Sequence, residues 1–230
     1  HGALMDRRSM LELMPMLPNQ YAVLCPDLAG HGQRRSEHEH LAKLNPQELA
    51  ADLLRQLPVQ LLAKTHKVHL VGHSLGALVA LELQRLLHEK GSGAAQLVLG
   101  DPPLFINLDS PSQHAAAAGM ASDAVGQRLA RDSFFNFSAN NPAAGVSSPY
   151  LQLLKNVSQQ TPTHFLHGLL AQHQRPNGSV DCGTFLSDRS RQYLESSCPE
   201  VHIHPIADAG HFVFHSSLGL NTFIHCLITS

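Results

Sequence analysis

Few cysteines, no concentration of positive charge and no unbroken apolar run long enough to span a bilayer mark this chain, and each shortage closes a class of function. The four cysteines, Cys25, Cys182, Cys198 and Cys226, lie far apart among 230 residues, with no C-x-x-C pair. That spacing argues against a structural zinc site or a disulfide-dense scaffold. A single bridge between Cys182 and Cys198, which would point to an oxidising compartment, stays open. Lysine and arginine total 16 against 18 acidic residues, a formal charge of −2, and the basic residues are scattered singly. Such a surface offers neither a stripe for a phosphate backbone nor a polybasic arm for anionic lipid, so nucleic acid and membranes are poor partners. The longest apolar stretch, about residues 70–87, is broken by His73, Glu82, Gln84 and Arg85 and cannot cross a bilayer unaided. No internal repeat or low-complexity tract appears. What remains is a soluble chain of one-domain size, able to bury a core and close a small-molecule pocket.

Histidine, by contrast, is plentiful, at 17 residues. His38-Glu39-His40 and His202-Ile203-His204 each set two imidazoles close together, which raises the question of a metal. The first pair sits in a charged, loop-like stretch. The second presents two side chains on one face of a strand with no third ligand supplied. Neither a metal centre nor a cofactor is expected.

The densest chemical signal is Gly72-His73-Ser74-Leu75-Gly76. It stands between a short apolar run at 68–71 and a long apolar-periodic run at 75–87 that stops at Gly91-Ser92-Gly93, so it reads as a serine on a strand-to-helix turn. In so tight a turn the residues two before and two after the serine must be nearly free of side chain, and the hydroxyl is left exposed.

Other elements follow from local chemistry. Residues 21–24 predict a strand running into the loop Pro26-Asp27-Leu28-Ala29-Gly30-His31-Gly32. Asn45-Pro46-Gln47-Glu48 predicts a helix start, with asparagine as N-cap, proline at the first helical position and glutamate as reciprocal cap. Leu49, Leu53, Leu57 and Leu61 give that helix one buried face, and Pro58 should kink or end it. A further apolar run at 97–100 completes strand, helix, strand, the pattern of a parallel sheet covered on both faces. Asp101 follows that run at the carboxyl edge, where open α/β sheets bind ligands. From 102 to 162 the rhythm is lost, and helical patches at 125–135 and 151–157 read as a lid. Its Phe134, Phe135, Phe137 and Tyr150 either line a pocket or pack the lid onto the core. Strands at 164–167 and 201–206 and helices at 185–195 and 218–228 complete the expected α/β domain.

Four stretches, in order and spacing, resemble the α/β-hydrolase superfamily over nearly the whole length. His1-Gly2-Ala3-Leu4 is similar to its oxyanion loop, 26–32 to its P-D-x-x-G-H-G loop, 72–76 to its nucleophile elbow, and Ala209-Gly210-His211-Phe212 to the segment bearing its catalytic histidine. The resemblance implies one domain over 1–230, a mostly parallel twisted sheet with helices on both faces and a helical lid inserted at about 102–162. It also implies strands ahead of His1, one of them between those at 21–24 and 68–71. Upstream residues, or a sequence that begins at a cut, are therefore expected, and any signal peptide would be hidden in that missing segment; the location expected is cytoplasmic.

The chemistry fits. A serine hydroxyl needs an adjacent base, and histidine is suited to take its proton and return it to a leaving group. Ser74 and His211 are the expected pair, and by resemblance the N–H groups of Leu75 and Ala3 form the oxyanion hole. The carboxylate that orients the imidazole has two candidates. Many relatives carry it shortly after the strand at 164–167, yet here the first carboxylate past Gly168 is Asp181. Asp101 occupies the place used by thioesterase domains of polyketide and nonribosomal peptide synthases and is preferred, in the order serine, acid, histidine. His73, Asp208, His31 and Asp27 are read as structural.

The expected activity is hydrolysis of an ester or thioester with a medium-sized, largely apolar acyl part, through an acyl-enzyme on Ser74. The lid makes a coenzyme A or carrier-bound thioester attractive, and a plain carboxylesterase stands close behind. Carbon–carbon hydrolysis or elimination by the same three groups is the alternative. Dehalogenase and epoxide hydrolase chemistry need an aspartate where Ser74 stands. A binding protein on a retired scaffold is disfavoured because serine and histidine are both retained.

Overall fold

The computed structural model describes residues 1–58, 67–105, 118–132, 149–171, 173–174 and 180–229. In chain order the elements are α1 (Arg8–Leu11), α2 (Pro46–Gln56), β1 (His69–His73), α3 (Leu75–Glu89), β2 (Gln96–Gly100), α4 (Ala124–Asp132), α5 (Pro149–Ser158), β3 (Thr163–Gly168), β4 (His173–Gln174), β5 (Val180–Asp181), α6 (Asp188–Ser197), β6 (Val201–Ile206) and α7 (Ser217–Ile228), with short 3₁₀ turns between. The main sheet runs β1-β2-β3-β6, every pair parallel; β4 and β5 form a separate antiparallel ribbon.

Alternate strand residues feed two different cores, which is why near-continuous apolar runs were needed. Leu97, Leu99, Phe165 and Val201 join Leu49, Leu78, Leu81, Leu154 and Leu194 from α2, α3, α5 and α6. Val98, Leu166 and Ile206 point the other way, to Phe214 and to Phe223, Cys226 and Leu227 of α7. Each large apolar side chain fully buried this way stabilises the fold by roughly 1.5–3 kcal/mol.

The helix ends follow their side chains. Asn45 accepts a hydrogen bond from the Glu48 N–H at 2.9 Å with Pro46 in the first turn. Helix α2 stops at Gln56 because Leu57, directly before Pro58, takes an extended conformation (φ −63°, ψ 132°). Leu61 lies outside the described residues. Helix α6 begins at Asp188, later than residue 185, because Ser187 supplies its cap through the Ser190 N–H. This leaves 182–187 free to meet the sheet edge.

Residues 21–24 correct an expectation: they form no strand. Tyr21 meets the His69 ring edge-on at 5.7 Å and its hydroxyl donates to the Leu227 carbonyl at 2.9 Å, while Val23 and Leu24 are exposed. The segment lies beside β1 without a ladder partner among the described residues, and strand propensity cannot substitute for one.

Helices α4 and α5 fall within the expected lid. Arg128 of α4 donates to the His38 and Leu41 carbonyls, and Asp132 accepts from the Leu44 N–H at 2.9 Å, fastening α4 to the 30–44 segment. Tyr150, Leu154 and Val157 of α5 are buried in the core against α3, so Tyr150 packs. Phe134, Phe135 and Phe137 lie outside the described residues. None of the four cysteines takes part in a disulfide, so Cys182 and Cys198 are not bridged to each other. Among the described residues no helix is long and apolar enough to cross a membrane.

Candidate active site

The carboxyl ends of β1, β2 and β6 bring the expected groups to one edge. Ser74 sits between β1 and α3 with φ 54° and ψ −119°, a backbone conformation costing about 1–3 kcal/mol in a residue with a side chain. Its N–H donates to the Gly100 carbonyl at the end of β2, 2.8 Å away, which holds the turn. The two glycines are there because the backbones touch. A Cβ on Gly72 would lie 2.3 Å from the Gly76 carbonyl oxygen and 2.6 Å from the Ala77 Cα; one on Gly76 would lie 2.7 Å from the His1 carbonyl oxygen. None of these obstacles is a flexible side chain. Gly72→Ala is therefore expected to cost about 1–3 kcal/mol of stability by overpacking and, in the protein that still folds, to lower turnover about 100-fold by displacing the serine. Chemical denaturation together with single-turnover rates checks both parts, and an unperturbed rate would contradict the tight-turn account.

Asp101 follows β2, fully buried and at φ 40°. One carboxylate oxygen, Oδ2, lies 2.7 Å from Nδ1 of His211 and accepts the Phe185 N–H at 3.0 Å; the other accepts the Thr184 hydroxyl at 2.9 Å. Asp181 is also buried, but its oxygens face backbone. They accept the N–H groups of His211 at 2.8 Å, Gly183 at 3.1 Å and Phe212 at 3.3 Å. One acid thus faces the imidazole and the other the loop that carries it.

The 1–3 loop lies against the serine. A Cβ on Gly2 would be 3.5 Å from the Ser74 Cβ, and the His1 carbonyl accepts the Gly76 N–H at 3.1 Å. His1 Nε2 accepts the Leu28 N–H at 3.0 Å, the His31 ring meets the Ala3 carbonyl, and Asp27 accepts the Arg7 and Gln33 N–H groups at 2.8 and 2.9 Å. Leu75 opens α3, so its N–H belongs to the turn that no helical carbonyl can satisfy and stands at the positive end of the helix dipole.

A family profile described as the alpha/beta hydrolase family matches residues 1–218. The chain belongs to this family. Solved alpha/beta hydrolase-like structures share its fold at low identity. MenH from S. aureus is 17% identical with a TM-score of 0.63, covering 100% of this chain and 90% of that one. The thioesterase domain from the curacin biosynthetic pathway is 19% identical with a TM-score of 0.57, covering 99% and 88%. An esterase, EaEST, from Exiguobacterium antarcticum is 16% identical with a TM-score of 0.61, covering 100% and 88%. No curated protein matches the chain. Membership of the alpha/beta hydrolase family supports a hydrolase.

Two neighbours of this candidate site were not singled out by sequence, and a third was read as structural only. Phe185 stacks on the His211 ring at 4.0 Å and 21°, and Thr184 holds Asp101. Phe185 is the first residue of the helix expected at 185–195, and Thr184 stands just before it. His73 does more than pack: its Nε2–H donates to the His211 backbone carbonyl at 2.8 Å, with the two rings 4.7 Å apart. Burial pushes the His73 pKa well below its ordinary value, and the His211 and His215 imidazoles add to the effect. In the unfolded chain His73 titrates at about 6.5. The unfolded state therefore binds the extra proton below that pH, and stability present above about pH 6.5 is lost as the pH falls toward the folded-state value. Melting temperature is expected to drop between about pH 7 and pH 5, and to drop less in His73→Gln; equal slopes for the two proteins would refute the assignment.

The site residues gather no cluster of metal ligands. Among the described residues the one such cluster is His164, His204 and Cys226, on the α7 face of the sheet. The His202/His204 pair thus has neighbours from β3 and α7 that its local sequence does not reveal.

Proposed function

We propose that the chain is a serine hydrolase that cleaves an ester or thioester through an acyl-enzyme on Ser74, with His211 as general base and acid and Asp101 as the orienting carboxylate. The observation that carries this reading is the 2.7 Å approach of the Asp101 carboxylate to Nδ1 of His211. A carboxylate there keeps the proton on Nδ1, leaves the Nε2 lone pair to take the serine proton, and stabilises the imidazolium once formed. Ser74 Oγ then attacks the acyl carbon. The oxygen that gains charge is received by the N–H groups of Leu75 and Ala3, each such donor being worth about 100- to 1,000-fold in turnover. His211 returns the proton to the departing alkoxide or thiolate. Water, deprotonated by the same nitrogen, attacks the acyl carbon, and collapse of the second tetrahedral intermediate frees the acid and Ser74.

The substrate proposed is a small-molecule ester or thioester with an apolar acyl group, the thioester form being one carried on coenzyme A or a carrier protein. The test is incubation with matched oxyester and acyl-thioester series, followed by mass spectrometry of the peptide containing Ser74. An acyl mass increment on that peptide, absent from Ser74→Ala, is expected, and the ratio of rates between the two series identifies the leaving group. No increment together with equally poor turnover of both series would overturn the reading and turn attention to carbon–carbon cleavage by the same groups.

A further inference from the structure

We propose that His164, His204 and Cys226 form a binding site for a thiophilic divalent metal, Zn²⁺ by preference, that ties α7 to β3 and β6. The three side chains come from three elements. In the parallel register His164 lies opposite His202 and Leu166 opposite His204, so His164 and His204 are diagonal neighbours on the face covered by α7. Cys226 reaches them from that helix, which is anchored at this point because its Cys226 carbonyl accepts the buried Gln96 side-chain amide at 2.8 Å.

The spacing fits a tetrahedral centre. Nδ1 of His164 is 2.9 Å from Nε2 of His204, Sγ of Cys226 is 3.7 Å from the same Nε2, and all three ligand atoms lie within 4.8 Å of one another. Zinc bonds of roughly 2.0–2.1 Å to nitrogen and 2.3 Å to sulfur, at tetrahedral angles, require nitrogen–nitrogen and nitrogen–sulfur edges of about 3.3 and 3.6 Å. The edge from His204 Nε2 to the sulfur is already near that value, the edge from His164 Nδ1 to the sulfur is no longer than 4.8 Å, and the imidazole pair needs to open by only about 0.4 Å. A metal would replace the imidazole–imidazole hydrogen bond: the proton now shared between Nδ1 and Nε2 moves to the opposite nitrogen of its own ring, and the Cys226 thiol releases its proton as the sulfur–metal bond forms. Two imidazoles with one thiolate suit zinc or copper better than the hard cations, which prefer oxygen.

The site also has a way in and a free coordination position. A cavity of about 340 Å³, lined in part by His164, His202, His69 and Thr229, opens beside it. Water supplies the fourth ligand, since the His202 ring stacks on His164 at 5.2 Å and brings no nitrogen into the group. The position separates this site from Ser74: His164 is the second residue of β3, whereas Asp101 follows the carboxyl end of β2 and Ser74 that of β1. Its effect is therefore on the docking of α7 rather than on ester chemistry.

The test uses the whole chain, stripped with a chelator and titrated with Co²⁺ and then Zn²⁺, alongside Cys226→Ser and His164→Gln. The expected result is one equivalent of Co²⁺ giving a thiolate-to-cobalt charge-transfer band and intense tetrahedral d–d bands, both displaced by Zn²⁺. The charge-transfer band is absent from Cys226→Ser, affinity falls at least about 10-fold in His164→Gln, and Zn²⁺ raises the melting temperature of the wild type alone. Absence of the thiolate band in folded wild-type protein would overturn the proposal even where a variant fails to fold. So would Zn²⁺ bound with equal affinity by both variants, which would assign it to other surface histidines.

Discussion

Ser74→Ala is expected to lower kcat about a million-fold, His211→Ala nearly as much, and the double variant should be scarcely slower than either alone. The reason is that in the proposed mechanism neither group does separate work. Without the imidazole the hydroxyl keeps its proton at neutral pH; without the hydroxyl the imidazole has no nucleophile to activate. What survives is the stabilisation offered by the backbone N–H groups of the helix start and the 1–3 loop, a residual of about 10³–10⁴ over water in hydrolases that use such a constellation. Steady-state rates with the substrate that best acylates the wild type, corrected by active-site titration, decide the matter. Losses that multiply in the double variant would mean that the two residues act independently, and the proposed proton transfer between them would have to be abandoned.

How much of this was legible in the sequence depends on whether the cause was local. The elbow was legible because its glycines are demanded by contacts within five residues and between neighbouring segments, the Gly72 to Gly76 approach above all. The α2 start was legible for the same reason, since asparagine, proline and glutamate act within one turn. The two-faced sheet could be read from runs such as 97–100, whose alternate residues enter opposite cores. Residues 21–24 misled because a strand is a relation between segments, and composition says nothing about whether a partner lies alongside. The histidine pair at 202 and 204 misled in the opposite direction: its neighbours are 40 and 22 residues away in the chain and meet it only through the β3–β6 register and the docking of α7. Phe185 was hidden because the apolar spacing from 185 onward resembles a helix, whereas the Ser187 cap delays α6 and releases Phe185, with Thr184 before it, to the Asp101 side chain.

The two buried carboxylates give the second large effect, and they separate chemistry from architecture. Asp101→Asn is expected to lower kcat by about 10⁴-fold with little change in KM, because an amide facing Nδ1 of His211 can donate its own N–H, favours the proton on Nε2 and so removes the lone pair that must accept from the serine. Asp181→Asn acts elsewhere. Its carboxylate accepts three backbone N–H groups around His211, and an amide can satisfy only some of them, leaving at least one buried donor poorly paired. That costs about 1–3 kcal/mol of stability, visible as a lower denaturation midpoint, while the Asp101 to Nδ1 contact and the tautomer it enforces persist. Turnover per folded molecule should then stay within about 10-fold of wild type, since less than about 1.4 kcal/mol of transition-state stabilisation is at stake. Measuring kcat and KM on both variants, with unfolding curves to count the folded fraction, compares the two directly. If the folded Asp181→Asn protein lost as much turnover as Asp101→Asn, the orienting role would pass from the acid touching the imidazole to the acid holding its backbone, because geometry at the loop and not the tautomer would then limit the rate.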